Sequence, residues 1–88
     1  MELRENVSLT GRDRAILRAV AAGTAELAWG VEPDLFIDGR CCCDQNAAHR
    51  LARCGLIAPV TVCVAGQRVA AKVTDEGFAH LAPVLVAA

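Results

Sequence analysis

Two short stretches, CGLI at residues 54–57 and VTDEGF at residues 73–78, decide how this chain is expected to fold. Gly55 is the residue type that most often ends a helix, and the Leu-Ile pair after it begins an extended segment. In the second stretch Thr74 is a typical N-cap, and the two acids that follow it suit the positive end of a helix dipole. One helix is therefore predicted to end near residue 54, and another to span residues 75–82.

The residues between these stretches alternate between apolar and other side chains with the period of a β-strand. On the two sides of the turn AGQR (65–68), the alternating apolar positions are Val60, Val62 and Val64, then Val69, Ala71 and Val73. Pro59 is tolerated only at the start of a strand or at a sheet edge. The pattern predicts a β-hairpin over residues 57–74.

A helical period appears twice before residue 54. Thr10 and Asp44 are the expected N-caps of helices over residues 10–22 and 44–54, and each helix has apolar residues three and four positions apart on one face. Between them, residues 24–40 alternate and are interrupted by glycine and proline, which favours a hairpin or two short extended segments.

The expected architecture is a single α+β domain. It spans residues 1–88, with its core in residues 9–82 and an apolar tail at residues 83–88. At this length one hydrophobic core is only just sufficient.

Three stretches, taken in their order along the chain, resemble winged helix-turn-helix domains of MarR-like and related small bacterial regulators. They are AAHRLARCGLI (47–57), VTVCVAGQRVAAKV (60–73) and VTDEGFAHL (73–81). The resemblance implies that the helix before Gly-Leu-Ile is the recognition helix, that the hairpin is the wing, and that the Thr-acidic-Gly segment starts the helix after it. The chain departs from the family pattern at residues 24–43, where an extra extended segment stands in place of a clear second helix.

The polar face of the helix at residues 44–54 carries groups suited to reading duplex DNA. Amide and guanidinium groups pair with the edges of adenine and guanine, and basic side chains on a hairpin reach phosphates. The candidate DNA-binding residues are Gln45, Asn46, His49, Arg50, Arg53, Arg68 and Lys72. The expected partner is double-stranded DNA, and the expected role is transcription regulation. The alternative interpretation is that these residues are simply the solvated face of an amphipathic helix.

Composition and charge limit which other classes of function the chain is expected to have. The net charge is −1, but residues 39–73 hold five basic side chains against one acidic one, which predicts a basic face. The only serine is Ser8, and no pair of catalytic groups is evident, so the chain is not expected to be an enzyme. The sequence has neither an apolar run of membrane-spanning length nor a signal-peptide pattern, so a cytoplasmic location is expected.

The five cysteines, three of them consecutive, form a poor disulfide framework and fit a reducing compartment. Consecutive cysteines do not all reach one metal centre, so no metal or cofactor is expected; a zinc site, if present, would use Cys43, His49 and Cys54. A cysteine-based redox or zinc-responsive regulator remains an alternative. A protein–protein interaction module on the same scaffold is another.

The core is expected to be lean, because the chain has two Phe, one Trp and no Tyr. A second subunit would supply further burial, so a homodimer is expected. Its predicted interface uses the terminal residues Phe78, Leu81, Leu85 and Val86.

Overall fold

The structure is a computed structural model that describes residues 8–81. In chain order the elements are α1 (Gly11–Ala21), β1 (Ala25–Ala28), β2 (Asp34–Ile37), β3 (Arg40–Cys41), α2 (Gln45–Arg53), β4 (Ile57–Pro59), β5 (Arg68–Val73) and α3 (Asp75–Leu81). The predicted α+β class is confirmed, and so are helices in the three predicted places. The apolar tail at residues 83–88 lies outside the described residues.

The strands form one antiparallel sheet in the order β3-β2-β1-β5-β4. Leu27 of β1 lies opposite Leu35 of β2 on one side and opposite Val69 of β5 on the other, so β1 is the central strand. The predicted extended segments at residues 24–40 are therefore a hairpin that widens the sheet.

The expected hairpin over residues 57–74 is present only in part. Ile57 of β4 pairs with Val73 of β5, but β4 ends at Pro59 and β5 also pairs with β1. The backbone explains the early end of β4, because Gly66 N and Gln67 O bond to Trp29 and draw the loop 60–67 toward β1. The prediction of a separate two-stranded wing is wrong in this respect: the pair belongs to a five-stranded sheet.

All three predicted N-caps are confirmed. Thr10 and Asp13 form a capping box at the start of α1, and Asp44 Oδ1 accepts a hydrogen bond from Ala47 N at the start of α2. Thr74 Oγ1 accepts from Gly77 N at the start of α3. Each side chain satisfies a backbone donor that the first helical turn leaves free.

The two stretches CGLI and VTDEGF contact each other. Gly55 ends α2 with a positive φ of 76°, which a glycine adopts without strain. Thr74 N then donates to Leu56 O over 3.0 Å, and Thr74 Oγ1 donates to Gly55 O over 2.6 Å. The end of α2 is thereby joined to the start of α3.

The core lies between the helices and one face of the sheet. Small aliphatic side chains fill it, as the composition indicates: Leu9, Ile16, Leu17, Val20, Ala25, Leu27, Leu35, Ala47, Ala48, Leu51, Leu56, Ile57, Ala71 and Val73. Strand residues alternate between this face and the opposite one, so Glu26, Phe36 and Arg68 lie on the sheet face that no described helix covers. Of the helices within residues 8–81, none has the length and apolarity to cross a bilayer.

Candidate nucleic-acid interface

Helix α2 presents one polar side to solvent. Its buried residues are Ala47, Ala48 and Leu51, and the opposite side carries Asn46, His49, Arg50 and Arg53. Asn46, Arg50 and Arg53 are exposed, whereas the His49 side chain is largely covered. The structure thus brings together four of the seven candidate DNA-binding residues.

Gln45 has a different environment from the one expected of a base-reading residue. Its side-chain oxygen accepts from Leu35 N, and its amide nitrogen donates to Leu35 O and Cys42 O, at 2.9, 2.9 and 2.8 Å. The Gln45 amide bonds to β2 just beyond the end of β3. It makes hydrogen bonds there of the kind that a longer neighbouring strand would make. Its hydrogen-bonding capacity is directed into the protein.

Arg50 joins α2 to α1 through Asp13. One carboxylate oxygen of Asp13 accepts from Arg50 Nη2 and the other from Thr10 N. The Asp13 side chain is only 1% exposed, and a buried carboxylate needs such partners because it has lost its water. Arg50 is half exposed, so one part of the guanidinium contacts Asp13 while another part contacts solvent.

His49 and Arg53 lie beside two acidic residues, Glu32 in the segment between β1 and β2 and Asp34 at the start of β2. His49 Nε2 is 3.0 Å from Asp34 Oδ1, and its Nδ1 is 3.7 Å from Glu32. Arg53 is 3.9 Å from the other Glu32 oxygen. The predicted basic face is therefore interleaved with carboxylates, because the hairpin β1–β2 brings Glu32 and Asp34 against α2.

Arg68 and Lys72 are not beside this surface. They alternate along β5 with the core-facing residues Val69, Ala71 and Val73, so they lie on the open face of the sheet. There Arg68 bonds to Glu26 over 2.8 Å and lies 3.8 Å above the ring of Phe36. The structure does not bring these two candidates together with the four on α2.

A groove runs along the second half of α2. It encloses about 220 Å³ and is lined by Trp29, Gly30, Val31, Pro33, His49, Ala52 and Arg53. The groove was not predictable from hydrophobic periodicity, because residues 29–33 show no regular period. Two cues were present, a tryptophan followed by glycine and a proline near it, and both indicate a loop that holds an aromatic side chain at the surface.

The three residues named as ligands for a possible zinc site, Cys43, His49 and Cys54, do not lie together. Cys54 packs against the core and Cys43 is exposed, while His49 faces Glu32 and Asp34. Among residues 8–81, no cluster of three or more metal-ligating side chains is found. All five cysteines are free thiols, and Cys41 and Cys43 are exposed.

A scan against protein-family models and searches of curated proteins and of solved structures each returned no match.

Proposed function

We propose that this protein binds duplex DNA through the exposed side of α2, as a winged-helix-like bacterial regulator. The observation that carries the proposal is the stripe of Asn46, Arg50 and Arg53 on successive turns of a solvent-exposed helix. An amide and two guanidinium groups at this spacing match the acceptors and donors that base pairs present in the major groove.

The order of elements supports the same function. Helix α2 ends in Gly-Leu-Ile, an antiparallel strand pair follows, and a threonine-capped α3 comes next. This is the order by which the sequence resembles winged helix-turn-helix domains. The sheet is larger than a hairpin wing, so the finer assignment to the winged-helix family is part of the proposal.

The carboxylates around α2 restrict how DNA binds. Glu32 and Asp34 lie on one side of the stripe, and Asp13 binds Arg50 on the other. A phosphate that binds Arg53 has to displace Glu32 from that side chain, and the negative charge of Glu32 repels the phosphate. We therefore expect moderate affinity for an arbitrary sequence, and expect base contacts by Asn46 to supply the preference for a particular one.

The test is duplex binding measured by fluorescence anisotropy at several salt concentrations, after selection of a preferred sequence from a random duplex library. Arg53→Ala should weaken binding to all duplexes and lower the slope of log K against log salt by about 0.9, the value for one phosphate contact. Asn46→Ala should cost about 1–3 kcal/mol on the preferred duplex and relax the preference at one base position.

Lys72→Ala is the matched control for Arg53→Ala. It removes one exposed positive charge from the open sheet face, away from α2. It should leave the salt slope unchanged. Equal effects of the two variants would move the interface to the sheet, and an absence of salt-sensitive binding to any duplex would refute the proposal.

A second candidate function is protein–protein interaction, which a specific observation favours. Within residues 8–81, the large exposed apolar side chains other than Phe78 lie on two loops that hydrogen-bond to each other. They are Trp29, Val31, Val60, Val62 and Val64. Contiguous exposed apolar surface usually marks a contact with another protein. For either candidate we propose a cytoplasmic location, where free thiols stay reduced.

A further inference from the structure

The segment VTVCV at residues 60–64 has the composition of a β-strand but no strand partner. Val62 is fully exposed and Val64 is 71% exposed. Thr61, Val62 and Cys63 make no backbone–backbone hydrogen bond within residues 8–81. Alternating β-branched residues with free backbone donors and acceptors are the features of a strand that pairs with another chain.

The segment continues an edge of the sheet. Val60 N still donates to Ala70 O, so the chain leaves the sheet just after β4. Pro59 removes one donor from the edge of β4 itself. Pairing with another chain is therefore favoured beyond Pro59, at Thr61, Val62 and Cys63. On either side of these three residues, Val60 N bonds to Ala70 O, and the N–H and C=O of Val64 both bond to Gln67.

We propose that residues 60–64 pair antiparallel with the same residues of a second copy of this chain, with a two-fold axis at Val62. In this register Val62 lies opposite Val62, Thr61 opposite Cys63, and Val60 opposite Val64. A two-fold interface requires a patch that is complementary to itself. This segment meets that requirement, because none of its five residues is charged and each opposing pair is apolar or small.

The pairing gives each dimer two copies of α2 that are related by a two-fold axis. If the proposed DNA binding holds, such a dimer reads a palindromic site. The dimer itself does not rest on that function, because its contacts involve no residue of α2. Its tests are performed without DNA, so that failure of one proposal is distinguishable from failure of the other.

The first experiment compares the mass in solution of three proteins by sedimentation over a range of concentrations. The wild-type protein should reach twice the chain mass. Val62→Lys should remain at the chain mass, because two like charges would meet at the axis. Val31→Lys is the matched control, since Val31 is equally exposed but lies on the neighbouring loop, and it should behave as wild type.

The second experiment tests the register by disulfide formation, in a chain in which serine replaces Cys41, Cys43 and Cys63, the three cysteines that do not pack against the core. Val62→Cys should form an interchain disulfide under mild oxidation, because directly opposed residues bring their Cβ atoms within bonding range. Val64→Cys should not, because its own copy lies four residues farther along the ladder.

Three results would overturn the proposal. They are a wild-type protein that stays monomeric at the highest concentration, a Val62→Lys variant that dimerises like wild type, and cross-linking through Phe78→Cys in place of Val62→Cys. The last result would instead support an interface that includes α3.

Discussion

At the scale of single residues, the amide of Gln45 replaces a piece of missing strand. Strand β3 is only two residues long, and Leu35 of β2 would otherwise have an incompletely paired backbone at a fully buried position. Gln45 supplies both an acceptor and a donor to that residue. Since buried backbone groups need partners, this glutamine should be required for stability rather than for DNA contact.

Replacing Gln45 should therefore destabilise the fold. Gln45→Ala leaves the Leu35 N–H without its acceptor and should lower the free energy of unfolding by about 1–3 kcal/mol. Gln45→Glu retains an acceptor but loses the donor to the carbonyls of Leu35 and Cys42, and should also destabilise. Urea denaturation checks both variants, with the exposed neighbour Asn46→Ala as the control, expected within about 0.5 kcal/mol of wild type. Unchanged midpoints for both Gln45 variants would contradict the assigned role.

Gly77 allows the start of α3 to lie close to Leu56, the residue before β4, and to Val73, the last residue of β5. A Cβ atom at this position would collide with the carbonyl oxygen of Leu56 and would lie 2.7 Å from Cγ1 of Val73. Gly77→Ala should therefore cost about 1–3 kcal/mol of stability. Gly11→Ala is the control, because nothing lies within 4 Å of the added atom and alanine favours the helix. Thermal unfolding of the two variants tests this, and equal melting temperatures would show that α3 adjusts freely.

Local chemistry made many of these features predictable. Thr10, Asp44 and Thr74 were predictable as caps because a cap depends on residues only three positions away. The role of Gln45 was not predictable, because helical spacing shows which side of α2 the residue lies on but does not show that β2 passes beside it. The same limit applies to Glu32, whose position against α2 depends on how the hairpin β1–β2 folds back.

At the scale of elements, two charged pairs join α1 to α2: Arg12 with the N-cap Asp44, and Arg50 with the buried Asp13. Asp13 is buried and accepts from Arg50, and it also completes the capping box of α1. The two helices are therefore held in register by a side chain that was expected to read DNA. A change at Arg50 affects the fold as well as any surface that α2 presents.

Arg50→Ala should lower the free energy of unfolding by about 1–3 kcal/mol, because the buried Asp13 carboxylate loses its charged partner. Arg53→Ala removes a more exposed guanidinium from the same helix and should change stability by less than about 0.5 kcal/mol. Chemical denaturation compares the two variants. Asp13→Asn combined with Arg50→Ala should cost less than the sum of the single changes, and strict additivity would contradict a direct interaction.

The strands were predictable where hydrophobic alternation coincides with a buried face. The alternation of β5 and the pairing of β1 with β2 follow from it. The end of β4 does not, because Val62 and Val64 continue the same alternation after the chain has left the sheet. Periodicity reports that a segment suits a strand but does not report whether a neighbour is there to pair with it.

At the scale of the whole molecule, opposite charges are paired across the fold rather than separated. Arg12 pairs with Asp44, Arg50 with Asp13, and Arg68 with Glu26. The basic residues of 39–73 therefore do not form a separate basic surface, because β2 lies next to α2 and β1 lies next to β5. Glu32 contacts two side chains on the exposed side of α2, His49 and Arg53.

Removing the charge of Glu32 should strengthen DNA binding. Glu32→Gln frees Arg53 and removes a repulsion at the surface that phosphates approach, so affinity should rise about two- to five-fold at low salt, the equivalent of an exposed ion pair. Glu26→Gln removes the same charge from the open sheet face, where Glu26 binds Arg68, and should leave affinity nearly unchanged. The two variants have the same net charge, so anisotropy titrations with one duplex compare the effects of the two positions on affinity. Equal gains in both would indicate a general effect of net charge, and a loss of affinity in Glu32→Gln would show that Glu32 holds α2 in its binding position.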